Sequence, residues 1–288
     1  MNDHKRLAGI AARNAATQVR IDAYRADAAN RDVPRVELEY LIRDNPWFGL
    51  VPCRACDVDF VMLHANDDIV ARDYLWIGAD GYEPEIVRQW VQWCRNPGLV
   101  LDIGGYSGLM SLIAANAHHA NEVHLFEPLE RTMERANVNI KLNGLAQRIR
   151  MHTVAASDAD GTAEISLHYA AEFLSTGNAI NPKHDRAVAD VKTIRTVALD
   201  SLMPDARPQT VKIDVEGHEL AVLQGMEQML RRSLPRMIIE IWAATRPEVM
   251  AFLHALGYVL TRFEAFDLGV NNYAAVVPAL EPVAELEQ

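Results

Sequence analysis

Hydrophobic and polar positions follow two periods along this chain, and from residue 99 onward the periods alternate. Leu99–Ile103, Glu122–Phe126 and residues 149–155, 210–215 and 237–242 are short apolar runs of strand length. Nearly continuous apolar strands of this kind belong to parallel sheets buried on both faces. Between them, Leu109, Met110, Leu112, Ile113 and Ala117 recur at helical spacing, a helix after Glu127 stops at Asn143-Gly144, and Leu220, Val222, Leu223 and Met226 mark a third. Residues 247–256 read as the last helix, and residues 258–262 and 273–277 as a pair closing the sheet with an antiparallel edge strand. Such alternation predicts an α/β fold with helices on both faces of a parallel sheet.

The first hundred residues read differently. Residues 3–30 predict one or two helices with only a weak stripe of Leu7, Ile10, Val19 and Ile21, suited to an arm or a homodimer contact. Residues 36–43 predict a further helix. Residues 59–64 read as a strand, Asn66-Asp67-Asp68 as a turn and residues 69–72 as its hairpin partner. Residues 83–93 follow as a helix burying Ile86, Val87, Trp90 and Val91. Residues 162–169 and 190–197 alternate like strands, and the polar stretch 170–189 between them, carrying Ser175, Asn178, His184 and Arg186, reads as a lid or substrate loop. The expected organisation is a helical extension over 1–58, a main domain over 59–280 and an acidic tail over 281–288.

Chemistry enters where the first parallel strand runs into Asp102-Ile-Gly-Gly-Tyr-Ser-Gly108. Gly104, Gly105 and Gly108 tolerate positive φ and let backbone N–H groups approach a ligand. A dinucleotide site needs Gly-x-Gly-x-x-Gly, but counted from Gly104 the other two glycine positions hold Tyr106 and Leu109. The Asp102 carboxylate would repel a pyrophosphate and attract an ammonium group. These features point to S-adenosylmethionine, which carries an ammonium and no phosphate. The second strand ends in Glu127-Pro128, where a carboxylate can accept both hydroxyls of an adenosine ribose. The third ends in the polar turn Ala156-Ser157-Asp158.

Composition narrows the partners. The chain has 288 residues, a formal net charge of −11 and a pI near 5.4, a balance that argues against broad contact with nucleic acid. No apolar run approaches the roughly twenty residues that span a bilayer, and the N-terminus lacks a signal-peptide core, so a cytoplasmic protein without a membrane partner is expected. Cys53-Arg54-Ala55-Cys56 has no second pair to complete a zinc site, and the chain's three cysteines read as ordinary thiols.

The fourth strand runs into Asp214-Val-Glu-Gly-His-Glu219, four ionisable residues in six positions. Asp214, Glu216 and His218 are the candidates for handling a proton, His218 because it titrates near neutrality. Lys212 reads as an ion-pair partner of these acids, and Glu216 or Glu219 as a carboxylate favouring a helix N-terminus. Asp214 and Glu240 end neighbouring strands and could hold a divalent cation such as Mg²⁺, but two carboxylates are too few to assign a metal site.

In order along the chain, Asp102-Ile-Gly-Gly-Tyr-Ser-Gly108, Phe126-Glu127-Pro128, residues 139–144, Leu199-Asp-Ser-Leu202 and Lys212-Ile-Asp-Val-Glu-Gly-His-Glu219 resemble the FkbM-type methyltransferases. Tyr82-Glu83 and Ile238-Ile-Glu-Ile241 fit the same pattern, whereas Gly105-Tyr106 stands where members more often carry Ala-Asn. The resemblance covers roughly residues 60–280. It implies a class I, Rossmann-like methyltransferase sheet of strand order 3-2-1-4-5-7-6, here with an N-terminal helical and β-hairpin extension. It also implies S-adenosyl-L-methionine as cofactor and O-methylation of a hydroxyl on a small molecule, sugar or natural-product intermediate. On that reading Tyr82, Glu83, Asp102, Gly104, Gly105, Ser107 and Gly108 hold the methionine part, Glu127 and Pro128 the ribose, and Ser157 and Asp158 the adenine, with Asp214 nearest the methyl group. Methylation of a nitrogen, and a non-catalytic cofactor-binding partner, are the alternatives; a nucleic-acid methyltransferase would need a basic face that the chain lacks.

Overall fold

The structure, a computed structural model, describes residues 3–27, 35–168, 174, 178–180, 188–265 and 269–278. Helices α1 (Asp3–Ala26) and α2 (Arg35–Asp44) precede a hairpin of β1 (Gly49–Ala55) and β2 (Val58–His64), then α3 (Ile69–Trp76) and α4 (Pro84–Cys94). Next come β3 (Leu99–Ile103), α5 (Leu109–Ala117), β4 (Glu122–Phe126), α6 (Glu130–Leu142) and β5 (Ile149–His152). A side sheet follows, made of β6 (Ala155–Ala156), β7 (Gly161–Leu167), β8 (Ala179–Ile180) and β9 (Asp190–Val197). The chain then runs through α7 (Leu199–Leu202), β10 (Pro208–Ile213), α8 (Glu219–Gly225), α9 (Glu227–Ser233), β11 (Arg236–Trp242), α10 (Arg246–Ala255), β12 (Val259–Ala265) and β13 (Val270–Val276).

The central sheet has the order β12-β13-β11-β10-β3-β4-β5. Counted in chain order from the β5 edge, its strands run 3-2-1-4-5-7-6. The five strands from β11 to β5 are parallel, and β13 lies antiparallel between β11 and β12. Val100, Val123, Leu125 and Ile238 face one core layer, shared with α4, α5 and α6. Leu101, Ile103, Val211, Ile213 and Ile239 face the other, shared with α8, α9 and α10. Both layers remove apolar surface from water at roughly 25 cal/mol per Å². Trp90 locks α4 onto α5, its buried Nε1 donating to the Met110 carbonyl at 2.9 Å.

Three expectations change. Residues 69–72 open helix α3 instead of pairing as a strand, because Asp68 caps them: its Oδ1 accepts from the amides of Val70 at 2.9 Å and Ala71 at 3.2 Å. The hairpin partner of β2 is β1, joined through a turn with Cys56 at φ 56°. Residues 149–155 do not form one strand: β5 stops at His152, and Ala155–Ala156 pairs in parallel with β9 in the side sheet. The boundary expected at residue 58 falls inside the β1–β2 hairpin. Ile21, Leu38 and Ile42 of α1 and α2 are buried in the same core as β3 and β4, so the extension is packed into the main body.

Two asparagines of α6 explain part of the sequence pattern. Asn139 Oδ1 accepts from the Leu63 amide at 2.8 Å while its Nδ2 donates to the Ser107 carbonyl at 2.9 Å. Asn143, one turn on, pairs with both the amide and the carbonyl of Val61. They satisfy the backbone of β2 and fasten it to the glycine loop. No helix among the described residues is long and apolar enough to cross a membrane. Residues 281–288 lie outside the described residues.

Candidate active site

A cavity of about 930 Å³ opens at the C-terminal ends of β3, β4, β10 and β11, the edge where open α/β sheets bind ligands. Its size lies within the range of small-molecule sites. Of the residues singled out from the sequence, Tyr82, Glu83, Asp102, Gly104, Gly105, Glu127, Pro128, Asp214, Glu216 and His218 line it. Ser107, Gly108, Ser157 and Asp158 do not line it. Ser107 is fully buried under the loop, Gly108 turns the chain into α5 at φ 94°, and the exposed Asp158 accepts a hydrogen bond from Ser157 Oγ at 2.9 Å. From the polar loop, Asn178 lines the cavity; Ser175, His184 and Arg186 lie outside the described residues.

The glycine loop is held by its own sheet. The amides of Gly104 and Gly105 donate to the Phe126 carbonyl at 2.9 and 3.0 Å, so the expectation that these two N–H groups face a ligand is corrected, while both glycines line the cavity. A Cβ on Gly104, which sits at φ 82°, would overlap the Asp214 carbonyl oxygen, and one on Gly105 would press on Leu125. These glycines let the ends of β3, β4 and β10 meet. Asp102 is 1 % exposed and its Oδ2 accepts from Ser111 Oγ at 2.6 Å. Burial raises its pKa, against the Ser111 hydrogen bond and the charge of Lys212.

Glu127 closes the next strand. Burial pushes its carboxyl up to about 7, although the amides of Leu129, at 3.0 Å, and Tyr106 donate to it. Tyr106 takes a left-handed conformation at φ 48° and its hydroxyl donates to the Leu174 carbonyl at 2.8 Å. The Leu174 amide in turn donates to the Asp67 carbonyl at 3.1 Å, and the Asp67 carboxylate is held by Arg135 through two bonds of 2.9 Å. The side chain that departs from the FkbM pattern thus tethers Leu174, which is held in turn by Asp67.

At the other end, β10 and β11 deliver a cluster of charge. Lys212 Nζ lies 2.7 Å from Asp214 Oδ2, the ion pair expected from the sequence. Asp214, Glu216 and Glu240 each offer a carboxylate oxygen, and these oxygens all lie within 4.8 Å of one another. The sequence suggested two of these acids as cation ligands; the fold brings in the third. Glu216 at φ 54° and Gly217 at φ 96° form a left-handed turn, held by the Glu219 carboxylate accepting from the Gly217 amide at 2.7 Å and Thr245 Oγ1 at 3.1 Å. Burial, together with Asp214 and Glu216, raises the Glu240 pKa well above the usual carboxylate range. His218 Nε2 is 2.9 Å from Ser157 Oγ. Because that hydroxyl gives its proton to Asp158, Nε2 carries the hydrogen and donates, which turns this edge of the ring toward Ser157.

Sequence reasoning missed part of the wall. Tyr24, Arg25 and Leu38 from α1 and α2 line the cavity. Arg25 donates to the carbonyls of Tyr74 at 2.8 Å, Leu75 at 2.7 Å and Trp76 at 3.3 Å, satisfying the last turn of α3. Tyr24 meets Trp76 edge-on at 6.0 Å. Of the apolar stripe expected on α1, Ile21 is buried in the main core, whereas Ile10 and Val19 are exposed; the contacts with α3, a helix that the sequence reading did not foresee, come from Tyr24 and Arg25. Trp242 also lines the cavity; its neighbour Glu240, an acid inside an otherwise apolar strand, was the legible signal there.

Comparison with known proteins adds a family. The chain is 29% identical over 170 residues to the hexuronic acid methyltransferase AglP of Haloferax volcanii, covering 58% of this chain and 65% of AglP, so it spans just under two thirds of that relative. It is 24% identical over 201 residues to the methyltransferase sdnD of Sordaria araneosa, covering 59% of this chain and 76% of sdnD. A crystal structure of a methyltransferase FkbM from Methylobacillus flagellatus KT is similar with a TM-score of 0.44 and 17% identity, over 62% of this chain and 43% of that one. The methyltransferase FkbM domain matches residues 102–260, more than half of the chain, and the protein belongs to the FkbM methyltransferase family.

Proposed function

We propose that the chain transfers the methyl group of S-adenosylmethionine to a hydroxyl of a small, oxygen-rich acceptor such as a sugar. The observation that carries this reading is one continuous cavity with the Glu127 and glycine-loop end at one side and the Asp214, Glu216 and Glu240 cluster at the other. The residues present fit the cofactor. Glu127 offers a buried carboxylate at the end of β4, where a ribose diol would sit, and Leu129 and Ala156 flank it with an apolar surface for a base. Asp102, Tyr82 and Glu83 line the side toward β10, where the amino-acid part would lie.

When bound, S-adenosylmethionine supplies a methyl group already activated by the positive sulfur. The chain's own part is to align the acceptor and take one proton. Proximity and orientation account for much of the rate in such a displacement. Asp214 is the proton acceptor in this reading, Lys212 fixing it, while His218 positions the Ser157 turn. Tyr24, Trp76, Tyr82 and Trp242 wall off water with faces that suit a sugar ring.

An amine acceptor fits less well, because clustered carboxylates would hold it as an ammonium ion without a free lone pair. The relative AglP is a hexuronic acid methyltransferase, and an anionic acceptor meets the same carboxylates unfavourably unless a cation intervenes. The test is incubation of the full chain with methyl-deuterated S-adenosylmethionine and neutral sugars, uronic acids and amines, read by mass spectrometry. Labelled methyl on a hydroxyl supports the proposal; transfer confined to amines, or to none of the panel, overturns it.

A further inference from the structure

The acceptor end of the cavity gathers three acidic side chains from the turn after β10 and from β11. Asp214, Glu216 and Glu240 converge there, and Lys212 lies 2.7 Å from Asp214. Three hard oxygen donors within 4.8 Å fit an oxygen-seeking ion. Ca²⁺, at 2.3–2.6 Å from its ligands, spans oxygens up to about 5 Å apart, and Mg²⁺ needs them at about 4.2 Å or less, a closure of roughly half an ångström.

A second observation points to the same place. Asn272 on β13 is the register partner of Glu240 on β11, so both side chains rise from one face of the sheet, the face that Trp242 and Val270 present to the cavity. Asn272 is 1 % exposed, and neither its Oδ1 nor its Nδ2 has a hydrogen-bond partner among the described residues. A buried amide is rarely left in that state, and its oxygen is the same kind of hard donor as the neighbouring carboxylates.

We propose that Asp214, Glu216 and Glu240, with the amide oxygen of Asn272 beside them, form a seat for one hard divalent cation at the acceptor end of the cavity. This rests on the methyl-transfer reading, because the cation's open positions would then receive the acceptor oxygens. Lys212, held against Asp214, keeps that carboxylate turned inward.

The experiment uses the full chain, freed of metal by chelation, with Mn²⁺ as the probe. Free Mn²⁺ is followed by electron paramagnetic resonance, Mg²⁺ and Ca²⁺ are added as competitors, and S-adenosylhomocysteine binding is measured by calorimetry on the same samples. One Mn²⁺ per chain is expected, displaced by Mg²⁺ or Ca²⁺, with affinity reduced by about tenfold or more in Glu240→Gln and in Asn272→Leu. Binding of S-adenosylhomocysteine should persist in the metal-free protein and in both variants. No Mn²⁺ bound at about 1 mM, or equal binding by wild type and a folded Glu240→Gln, overturns the cation seat. If S-adenosylhomocysteine still binds in that case, the methyl-transfer reading stands; if it does not, that reading falls separately.

Discussion

Glu219 offers a quantitative test of how the turn at the acceptor end is built. Its side chain is fully buried at the start of α8, and it holds the left-handed Glu216–Gly217 turn through the Gly217 amide. Burial pushes its carboxyl from 4.5 up to about 7, against the hydrogen bonds from Gly217 and Thr245. Between those values the folded state binds a proton that the unfolded chain has released, so this group's contribution to stability is largest below about 4.5 and is lost as pH rises through 7. Worked between pH 5.5 and 8, that loss is about 2 kcal/mol. Glu219→Gln keeps the shape and can still accept from Gly217 while donating to Thr245, yet it has no proton to lose. The stability of wild type relative to this variant should therefore fall by about 2 kcal/mol over that range, measured by urea unfolding at each pH. Groups that do not interact with Glu219 titrate alike in both proteins and cancel. Glu219→Ala should instead be destabilised at every pH, by about 1–3 kcal/mol, from the unpaired Gly217 amide. Parallel stability curves for wild type and Glu219→Gln would refute the reasoning.

Other outcomes follow from the same geometry. Gly104→Ala should destabilise the fold by more than about 2 kcal/mol, because its Cβ meets the Asp214 carbonyl, whereas Gly144→Ala, with open space around it, should cost only about 1–2 kcal/mol; chemical unfolding of both compares them. Affinity for S-adenosylhomocysteine should weaken as pH falls below about 7, where Glu127 gains its proton, and should be lower but flat with pH in Glu127→Gln, as titration calorimetry at several pH values will show. Arg25→Ala removes the donor to three carbonyls of α3 and should raise the KM for acceptor while leaving S-adenosylhomocysteine affinity within about twofold of wild type.

What the sequence disclosed divides along physical lines. The parallel strands were legible because burial on both faces writes an uninterrupted apolar run, as in Leu99–Ile103 and Glu122–Phe126. Glu127, Asp214 and Glu216 were legible because each is an acid where such a run stops. Helix α3 was not, since residues 69–72 are apolar enough for a strand and the decision rests with the Asp68 cap. The packing role of Gly104 and Gly105 was not legible, because a glycine admitting another backbone and one admitting a ligand look identical in sequence. Tyr24 and Arg25 were invisible as cavity residues because their place depends on α1 folding back on α3, a contact that no local pattern records. Asn272 reveals itself only through its register with Glu240.

The account turns on the claim that this cavity binds the methyl donor. The measurement that tests it most directly is calorimetric titration of the purified full chain with S-adenosylhomocysteine, beside Glu127→Ala and Asp102→Ala. The account predicts micromolar binding by wild type, near about −8 kcal/mol, with binding lost in folded Glu127→Ala and weakened in Asp102→Ala. A folded wild-type protein that binds no S-adenosylhomocysteine, or a Glu127→Ala variant that binds it as tightly as wild type, would contradict it.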